Sequence, residues 1–282
     1  MVETLPGQQV RGVTSLDNNL YVLRDKSSEQ IEIYDIDSYN LLRCVTVPEL
    51  RDGAGCDIVV CVHKRCAYIS DCSLNSIHRV ALSDDKYTVT HWPVDENDEP
   101  AGLYEPAGLA ISHAHGVLVT CPHAREIKEF SPDGELLQVL MLSEDLVWPW
   151  HAVQLSSGQF IVCHGRCNDP LNQVCLVDSD GIVVKSLGGP PGSGSKRFRQ
   201  PFHLAVDRND CVFVLDKGNR RVLLVSPETL LVRDVVVSPE QLWCPHTSMV
   251  EPLRVHVNDN KGHLYVSRNC VGGNGHLSVF PL

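Results

Sequence analysis

The chain has 282 residues, of which 43% are hydrophobic and 21% charged, as expected of a globular protein with a buried core. No run approaches 18 consecutive apolar residues, which argues against a transmembrane helix, and the N-terminal MVETLPGQQV lacks the charged and apolar regions of a signal peptide. The net charge of −11 disfavours a surface that binds nucleic acid everywhere, although one basic patch is compatible with it. We therefore expect a cytoplasmic protein that has no membrane partner.

The twelve cysteines are expected to be mostly free thiols. Many lie inside apolar runs, such as CDIVVC (56–61) and CVFVL (211–215), where a thiol packs as a small hydrophobic group. The spacings Cys163-x-x-x-Cys167 and Cys66-x5-Cys72 differ from the C-x-x-C pairs of zinc ribbons, so we expect no structural zinc.

One sequence pattern occurs six times, at intervals of about 40 to 53 residues. In chain order the copies are VRGVTSLDNNLYVLRD (10–25), CDIVVCVHKRCAYISD (56–71), PAGLAISHAHGVLVTC (106–121), PWHAVQLSSGQFIVCH (149–164), PFHLAVDRNDCVFVLD (201–216) and PLRVHVNDNKGHLYVSR (252–268). Each copy contains two apolar or alternating runs joined by a turn, which predicts two antiparallel strands. A third and a fourth strand-like run follow most copies, and four short strands per unit are typical of a β-propeller blade.

The last unit has only three strand-like runs before the chain ends at Leu282. Residues 2–9 precede the first unit, so we expect them to complete the last blade as its outer strand and to close the ring. The prediction is an all-β, six-bladed propeller of four-stranded antiparallel blades with almost no helix, forming a single domain over 1–282. Its blades span approximately 10–48, 56–94, 106–143, 149–189, 200–238, and 252–282 plus 2–9. The Gly/Pro/Ser-rich segment 188–200 is then a loop between blades.

The segment DKGNRRVLLV (216–225) matches the D-x-x-N-x-R-[IV] signature of NHL repeats. The surrounding residues 196–228 resemble a whole NHL unit, and SDCSLNSIHRVAL (70–82) is a looser match. The chain thus resembles NHL-repeat six-bladed β-propellers, as in the C-terminal propellers of tripartite-motif proteins. The resemblance implies a domain that binds RNA hairpins or protein partners on one face, either alone or as part of a larger protein. We expect Asp216, Asn219 and Arg221 of the signature to be structural, because motif residues recur in every blade regardless of ligand.

The ligand face is expected at the top of the propeller, where the loops entering the innermost strands surround the central channel. His151 and His203 occupy matching entry positions, each preceded by an aromatic residue, Trp150 or Phe202. Six-bladed relatives such as the peptidyl-glycine amidating lyase and the lactonase-like enzymes hold a metal in this channel. The matching residues Ile58, Gly108 and Arg254 offer no third ligand, so we expect no metal or other cofactor; if a metal binds, His151 and His203 would hold it.

Three functions remain open at this stage. A metal-dependent lyase or lactonase-like enzyme is the least favoured, because no G-x-S-x-G, H-E-x-x-H or P-loop motif occurs. RNA binding, structured or single-stranded, would use cations near blades four and five beside aromatic residues, including Phe198, although the acidic run DENDE (95–99) opposes it.

A non-catalytic scaffold that binds a protein or peptide is favoured, because the face mixes aromatic, cationic and acidic residues. We expect the propeller itself to be monomeric. The predicted ligand-binding residues are Trp150, His151, Lys196, Arg197, Arg199, Phe202, His203, Lys217, Arg220, Trp243 and Arg254.

Overall fold

The computed structural model describes residues 3–24, 30–48, 50, 55–82, 87–94, 106–242, 250–270 and 274–282. Twenty-four strands form six separate four-stranded antiparallel sheets. Within the described ranges the one helical element is a short 3₁₀ turn, Lys217–Asn219. The predicted all-β, six-bladed propeller is confirmed.

The first three blades each contain four consecutive strands, which pair in chain order. Their strands are β2 (Val10–Leu16), β3 (Asn19–Arg24), β4 (Gln30–Asp35) and β5 (Leu41–Thr46); β6 (Gly55–Cys61), β7 (Cys66–Asp71), β8 (Ser76–Ala81) and β9 (Val89–Pro93); and β10 (Gly108–Ile111), β11 (Val117–Cys121), β12 (Glu126–Phe130) and β13 (Leu136–Met141).

Blades four and five follow the same plan, whereas blade six takes its fourth strand from the other end of the chain. Their strands are β14 (Pro149–Gln154), β15 (Phe160–His164), β16 (Asn172–Val177) and β17 (Val183–Gly189); β18 (Pro201–Val206), β19 (Val212–Asp216), β20 (Arg221–Ser226) and β21 (Leu231–Val237); and β22 (Val250–Asn258), β23 (His263–Cys270), β24 (Asn274–Pro281) and β1 (Glu3–Gln8).

The ring closes as the sequence predicts. Strand β1 pairs antiparallel with β24 over Glu3–Gln8, so the N-terminal strand becomes the outer strand of the last blade. The seam with blade one is also tied by a side chain, because Asn269 accepts the Val10 N–H at 2.8 Å and donates to the Val10 carbonyl at 3.0 Å. The first and the last strand of the chain are thereby paired with each other.

Burial follows the position of each strand within its blade. The second strands β11, β15 and β19 are buried along their whole length, because neighbouring blades cover both of their faces. The outer strands β5 and β13 each expose five of their six residues. The core therefore lies between blades, which is why the inner strands are nearly continuous apolar runs.

An irregularity recurs where the innermost strands enter the channel. The register shifts between Val10 and Gly12, between Gly55 and Asp57, between Pro149 and His151, and between Pro201 and His203. Blade six has a longer shift between Pro252 and Val255. Each shift inserts an extra residue, as a β-bulge does, and it re-aims the side chains at the mouth of the channel.

The NHL-like signature has the structural role that we expected. The buried Asp216 carboxylate accepts hydrogen bonds from Arg221 Nε at 2.9 Å, from Asn219 Nδ2 at 2.7 Å and from the Arg199 backbone N–H at 2.8 Å. Arg221 also donates to the carbonyls of Ser193, Gly194 and Arg197. The signature thus holds the 188–200 segment against blade five, as charge-assisted hydrogen bonds to a buried acid can do.

The described part of the chain contains no helix long and apolar enough to cross a membrane.

Most of the cysteines described are reduced, as expected, but Cys72 is disulfide-bonded. The residues Cys44, Cys61, Cys66, Cys163, Cys167, Cys175 and Cys211 are free thiols.

We predict that Asn269→Ala lowers the free energy of unfolding by about 1–3 kcal/mol, because the buried N–H and carbonyl of Val10 would both lose their partner. Urea denaturation measures the change, with the exposed Asn209→Ala as the control. A loss below about 0.5 kcal/mol, the range of ordinary surface substitutions, would show that the side chain does not secure the seam.

Candidate ligand site at the channel mouth

A cavity of about 530 Å³ opens at the top of the channel, and we call it the mouth cavity. All six blades contribute to it. Its lining residues are Gln9, Arg11, Cys72, Ala107, Pro122, His123, Trp148, Trp150, Gln200, Phe202, His203, Lys217, Glu251, Leu253, Arg254, Asn269 and Cys270.

A continuous aromatic wall borders the cavity on the side of blades three to five. Trp148 stacks on Trp150 with ring centroids 6.0 Å apart, and Trp150 lies 5.0 Å from Phe202. His123 meets the edge of Trp148 at 4.5 Å. Trp150 is fixed in place by its indole N–H, which donates to the Gly165 carbonyl at 3.0 Å. Such aromatic surfaces give large contact areas to a ligand at little entropic cost.

Cationic groups stand over the end of this wall. Lys217 Nζ lies 5.1 Å from the centroid of the Phe202 ring, and the Arg254 guanidinium carbon lies 5.4 Å from the same centroid. Both distances are within the range of a cation–π contact. Lys217 also pairs with Glu251 at 3.2 Å, and 62% of the Glu251 side chain is exposed.

The floor of the cavity is a buried polar layer formed by Asp57, His151, His203 and Arg254, which we call the channel layer. Asp57 is its centre. Oδ1 accepts Arg254 Nε at 3.0 Å and the Ile58 N–H at 2.9 Å. Oδ2 accepts His203 Nε2 at 3.2 Å and the Leu109 N–H at 3.0 Å. One carboxylate therefore links blades two, three, five and six, and its four lone-pair sites are all used.

The tautomers of the two histidines follow from their partners. His151 Nε2 lies 3.0 Å from the Leu109 carbonyl, so it must carry a hydrogen. His203 Nε2 donates to Asp57, while its Nδ1 accepts the Val255 N–H at 3.5 Å. The centroids of the His151 and His203 rings lie 3.9 Å apart. Two neutral imidazoles thus sit side by side beneath the cavity.

The charge states agree with this arrangement. Burial lowers the pKa of His151 to about 3, with His203 adding to the effect and Asp57 opposing it. Burial also lowers the pKa of His203, against the attraction of Asp57. For Asp57, burial alone would raise the pKa, but Arg254 and His203 outweigh it and hold the carboxyl well below its usual range. The layer is therefore an ionised Asp–Arg pair flanked by neutral histidines.

A second, smaller cavity of about 160 Å³ lies in the lower channel, and His151 and His203 border it from above. His256 lies there as well and bonds Ser15 Oγ through Nε2 at 2.8 Å. Burial lowers the pKa of His256 to about 4. The channel layer thus separates the mouth cavity from the lower channel.

Asp57 is the residue that sequence reasoning missed as a channel group. The sequence alignment matched Ile58 with His151 and His203, but the bulge places Asp57 in that register. Gly55 and Asp57 flank the shift in blade two as Pro149 and His151 do in blade four. If the blade-two copy is aligned to begin at Gly55 and not at Cys56, Asp57 falls at the position that His151 and His203 occupy in their own copies.

The structure also explains why blade three contributes no side chain to the layer. At Gly108 a Cβ atom would collide with the ring of His151 and with the Trp150 carbonyl. The ring of His151 occupies the space that a side chain from blade three would need. Glycine at this position is therefore required for close packing, not for an unusual backbone angle.

Asp57, His151 and His203 place potential metal-ligating atoms within 4.8 Å of one another. The donor set does not suit a metal, however. The Asp57 oxygens are saturated, both Nε2 atoms carry hydrogens, and the Arg254 cation occupies the remaining side. His151 Nδ1 has no hydrogen-bond partner in the described part of the chain, but one imidazole nitrogen is not a catalytic three-ligand site.

The residues predicted at the ligand face separate into three groups. Trp150, Phe202, His203, Lys217 and Arg254 line the mouth cavity, with His203 and Arg254 largely buried in its floor. His151 is buried beneath it. Four of the predicted residues are exposed and lie outside the lining of the cavity: Lys196, Arg197, Arg199 and Arg220. Phe198, expected beside these cations, is fully buried in the core between blades, so it offers no surface to a base. Trp243 lies outside the described residues.

Comparison with known proteins supports the fold alone. No family model matches the chain, and no curated protein does. Among solved structures, virginiamycin B lyase from Staphylococcus aureus is 9% identical with a TM-score of 0.66, and 100% of each chain is covered. A streptogramin B lyase is 13% identical with a TM-score of 0.69, covering 99% of this chain and 97% of the other.

The β-propeller domain of Cps50 (Swd1) from Myceliophteria thermophila is similar too, at 8% identity and a TM-score of 0.62, with 100% of each chain covered. The two lyases and this β-propeller domain thus share one architecture. At such identities the likeness establishes the propeller and transfers no activity.

We predict that Asp57→Asn lowers the free energy of unfolding by about 3–5 kcal/mol, because it leaves the buried Arg254 without a counter-ion. The double variant Asp57→Asn with Arg254→Met should lose less than the sum of the two single variants. The control is Asp17→Asn, which removes one partner of an exposed pair with Arg65. Additive losses in urea denaturation would show that the two groups do not depend on each other.

We predict that stability falls as the pH drops below about 6.5, the ordinary histidine pKa. The folded pKa values of His151 and His256 are about 3 and about 4, so between these values and 6.5 the unfolded chain binds more protons than the folded chain. Asp57, whose folded pKa is lowered, adds a further loss only below about pH 4.

Urea denaturation at pH 7.5 and pH 5.0 measures this slope. His151→Gln cannot be protonated in that range and should flatten the slope, and His113→Gln, at an exposed turn, is the surface control. Equal slopes for the wild type and His151→Gln would contradict the assignment of the acid sensitivity to the channel layer.

Proposed function

We propose that this chain is a non-catalytic binding module of the NHL type, which holds a protein or peptide partner through a side chain inserted into the mouth cavity. The observation that carries the proposal is the aromatic-walled cavity closed below by a hydrogen-bonded polar layer. Its volume of about 530 Å³ lies in the range of known ligand pockets and suits one or two side chains.

The residues at the cavity favour recognition over catalysis. His203 is the one histidine of the channel layer that lines the cavity, and both of its ring nitrogens are engaged, one with Asp57 and one with the Val255 N–H. A general base needs a nitrogen within reach of the substrate proton. By contrast, Trp150 and Phe202 present rigid aromatic surfaces, which are typical anchors of protein interfaces.

The same geometry favours a peptide ligand over an RNA ligand. The Arg166 guanidinium lies over Trp148 at 4.1 Å, so this ring of the aromatic wall already has a cation on its face. Bases that stack in single-stranded RNA sites need open aromatic faces. The exposed Arg197 and Arg199 stand outside the lining of the cavity and supply charge without a stacking surface.

Selection from a phage-displayed library of random 12-residue peptides tests the proposal, followed by affinity measurements on the selected peptides. Phe202→Ala should weaken their binding at least about tenfold, a loss of about 1.4 kcal/mol. The matched control is Leu231→Ala, which truncates an apolar side chain on an exposed outer strand and should change affinity less than about twofold.

The proposal fails if no peptide is enriched, or if Phe202→Ala binds the selected peptides as well as the wild type does. A single-stranded RNA probe is measured in parallel. Tight RNA binding at low salt that is lost in Arg197→Ala or Arg199→Ala would replace the peptide by RNA as the ligand class.

A further inference from the structure

We infer that the mouth cavity selects an acidic peptide segment, in which an Asp or Glu carboxylate lies between Lys217 and Arg254 and a neighbouring apolar side chain packs on Trp150. The inference rests on the proposed function and adds the chemical class of the partner.

Two cations from different blades lie near the same aromatic ring. Lys217 follows β19 of blade five, and Arg254 lies in β22 of blade six. Their charged groups lie 5.1 Å and 5.4 Å from the same Phe202 ring, and both residues line the cavity. An anionic group in the cavity at the edge of that ring, which carries the positive end of the quadrupole, would have both cations nearby, and charge-assisted hydrogen bonds to such cations are the strong ones.

Each cation already has an acidic partner, and the two partners differ in strength. Arg254 Nε is bonded to the buried Asp57, and one Nη atom donates to the Leu253 carbonyl at 2.9 Å. These bonds fix the guanidinium as a rigid part of the cavity floor. Lys217 pairs with Glu251, which is 62% exposed, so this pair is worth little and a ligand carboxylate can replace it.

The aromatic wall beside these cations determines what else the ligand must carry. Trp150 lies 5.0 Å from Phe202, and its one polar atom is already bonded to the Gly165 carbonyl. The indole therefore offers an apolar surface next to the cationic corner. A ligand that fills both places carries an apolar side chain directly beside a carboxylate.

Long-range attraction does not explain such a preference, because the chain carries a net charge of −11. The selectivity must come from short-range contacts at Lys217 and Arg254. We therefore expect the variants to change the dissociation rate more than the association rate.

Fluorescence polarisation with matched peptides tests the inference. The probes are fluorescein-labelled Gly/Ser peptides of about nine residues that carry Trp, Phe, Leu or Met at the centre, followed by Glu, Gln or Lys. The best Glu peptide should bind at least about fivefold tighter than its Gln counterpart and at least about tenfold tighter than its Lys counterpart. Equal affinities for Glu and Gln, or no binding by any probe, would overturn the inference.

Two substitutions with opposite expected signs locate the effect. Lys217→Glu should lower the affinity for the Glu peptide at least about tenfold and remove the preference for Glu over Gln. Glu251→Gln should raise the affinity for the Glu peptide about two- to threefold, because it removes the acid that competes for Lys217. The control Arg208→Glu makes the same charge change at the exposed turn on the opposite end of blade five and should have less than a twofold effect.

The outcomes separate this inference from the proposed function. Peptides that bind in a Phe202-dependent manner without any preference for Glu would overturn the acidic class and leave the binding module standing. Equal losses in Lys217→Glu and Arg208→Glu would show a diffuse effect of net charge, which also overturns the inference. The absence of any Phe202-dependent peptide binding would overturn both.

Discussion

The buried carboxylate of Asp57 is the interaction on which the channel of this propeller depends. It accepts hydrogen bonds from its own strand and from blades three, five and six, so groups far apart in the sequence meet at one acid. A buried charge is costly unless it is paired and fully hydrogen-bonded, and here both conditions hold. The layer therefore closes the channel and gives the mouth cavity a rigid floor, and the burial of its two histidines keeps them neutral.

The mouth cavity arises because a repeated backbone feature carries side chains that do not repeat. A bulge at the entry of the innermost strands turns consecutive residues toward the channel. In blades four and five it sets Trp150 and Phe202 in the cavity and places His151 and His203 below them. The signature residues Asp216, Asn219 and Arg221, by contrast, hold a loop against blade five. The scaffold is thus common to the blades, and the chemistry of the site comes from the few positions where they differ.

Much of the fold could be predicted from the sequence, because period-two alternation and turn residues are local signals. The six copies gave the blade count, and the unassigned N-terminal residues indicated the closing strand. The convergence of Asp57, His151, His203 and Arg254 could not be predicted in full, since it depends on bulge register, and a shift of one residue reverses which side chains face the channel. The burial of Phe198 and the pairing of Lys217 with Glu251 are tertiary contacts that no local pattern encodes.

The channel is closed by a hydrogen-bonded Asp–Arg–His layer, and this layer leaves no room for a metal. Long-range ¹⁵N–¹H correlation spectra of the histidine side chains, recorded at pH 7 with and without excess Zn²⁺, test it most directly. We expect His151 and His203 to be neutral and to carry their hydrogen on Nε2, and we expect their signals not to shift when zinc is added. Hydrogen on Nδ1 of both rings, with a zinc-dependent shift of their Nε2 signals, would contradict it and restore a metal centre in the channel.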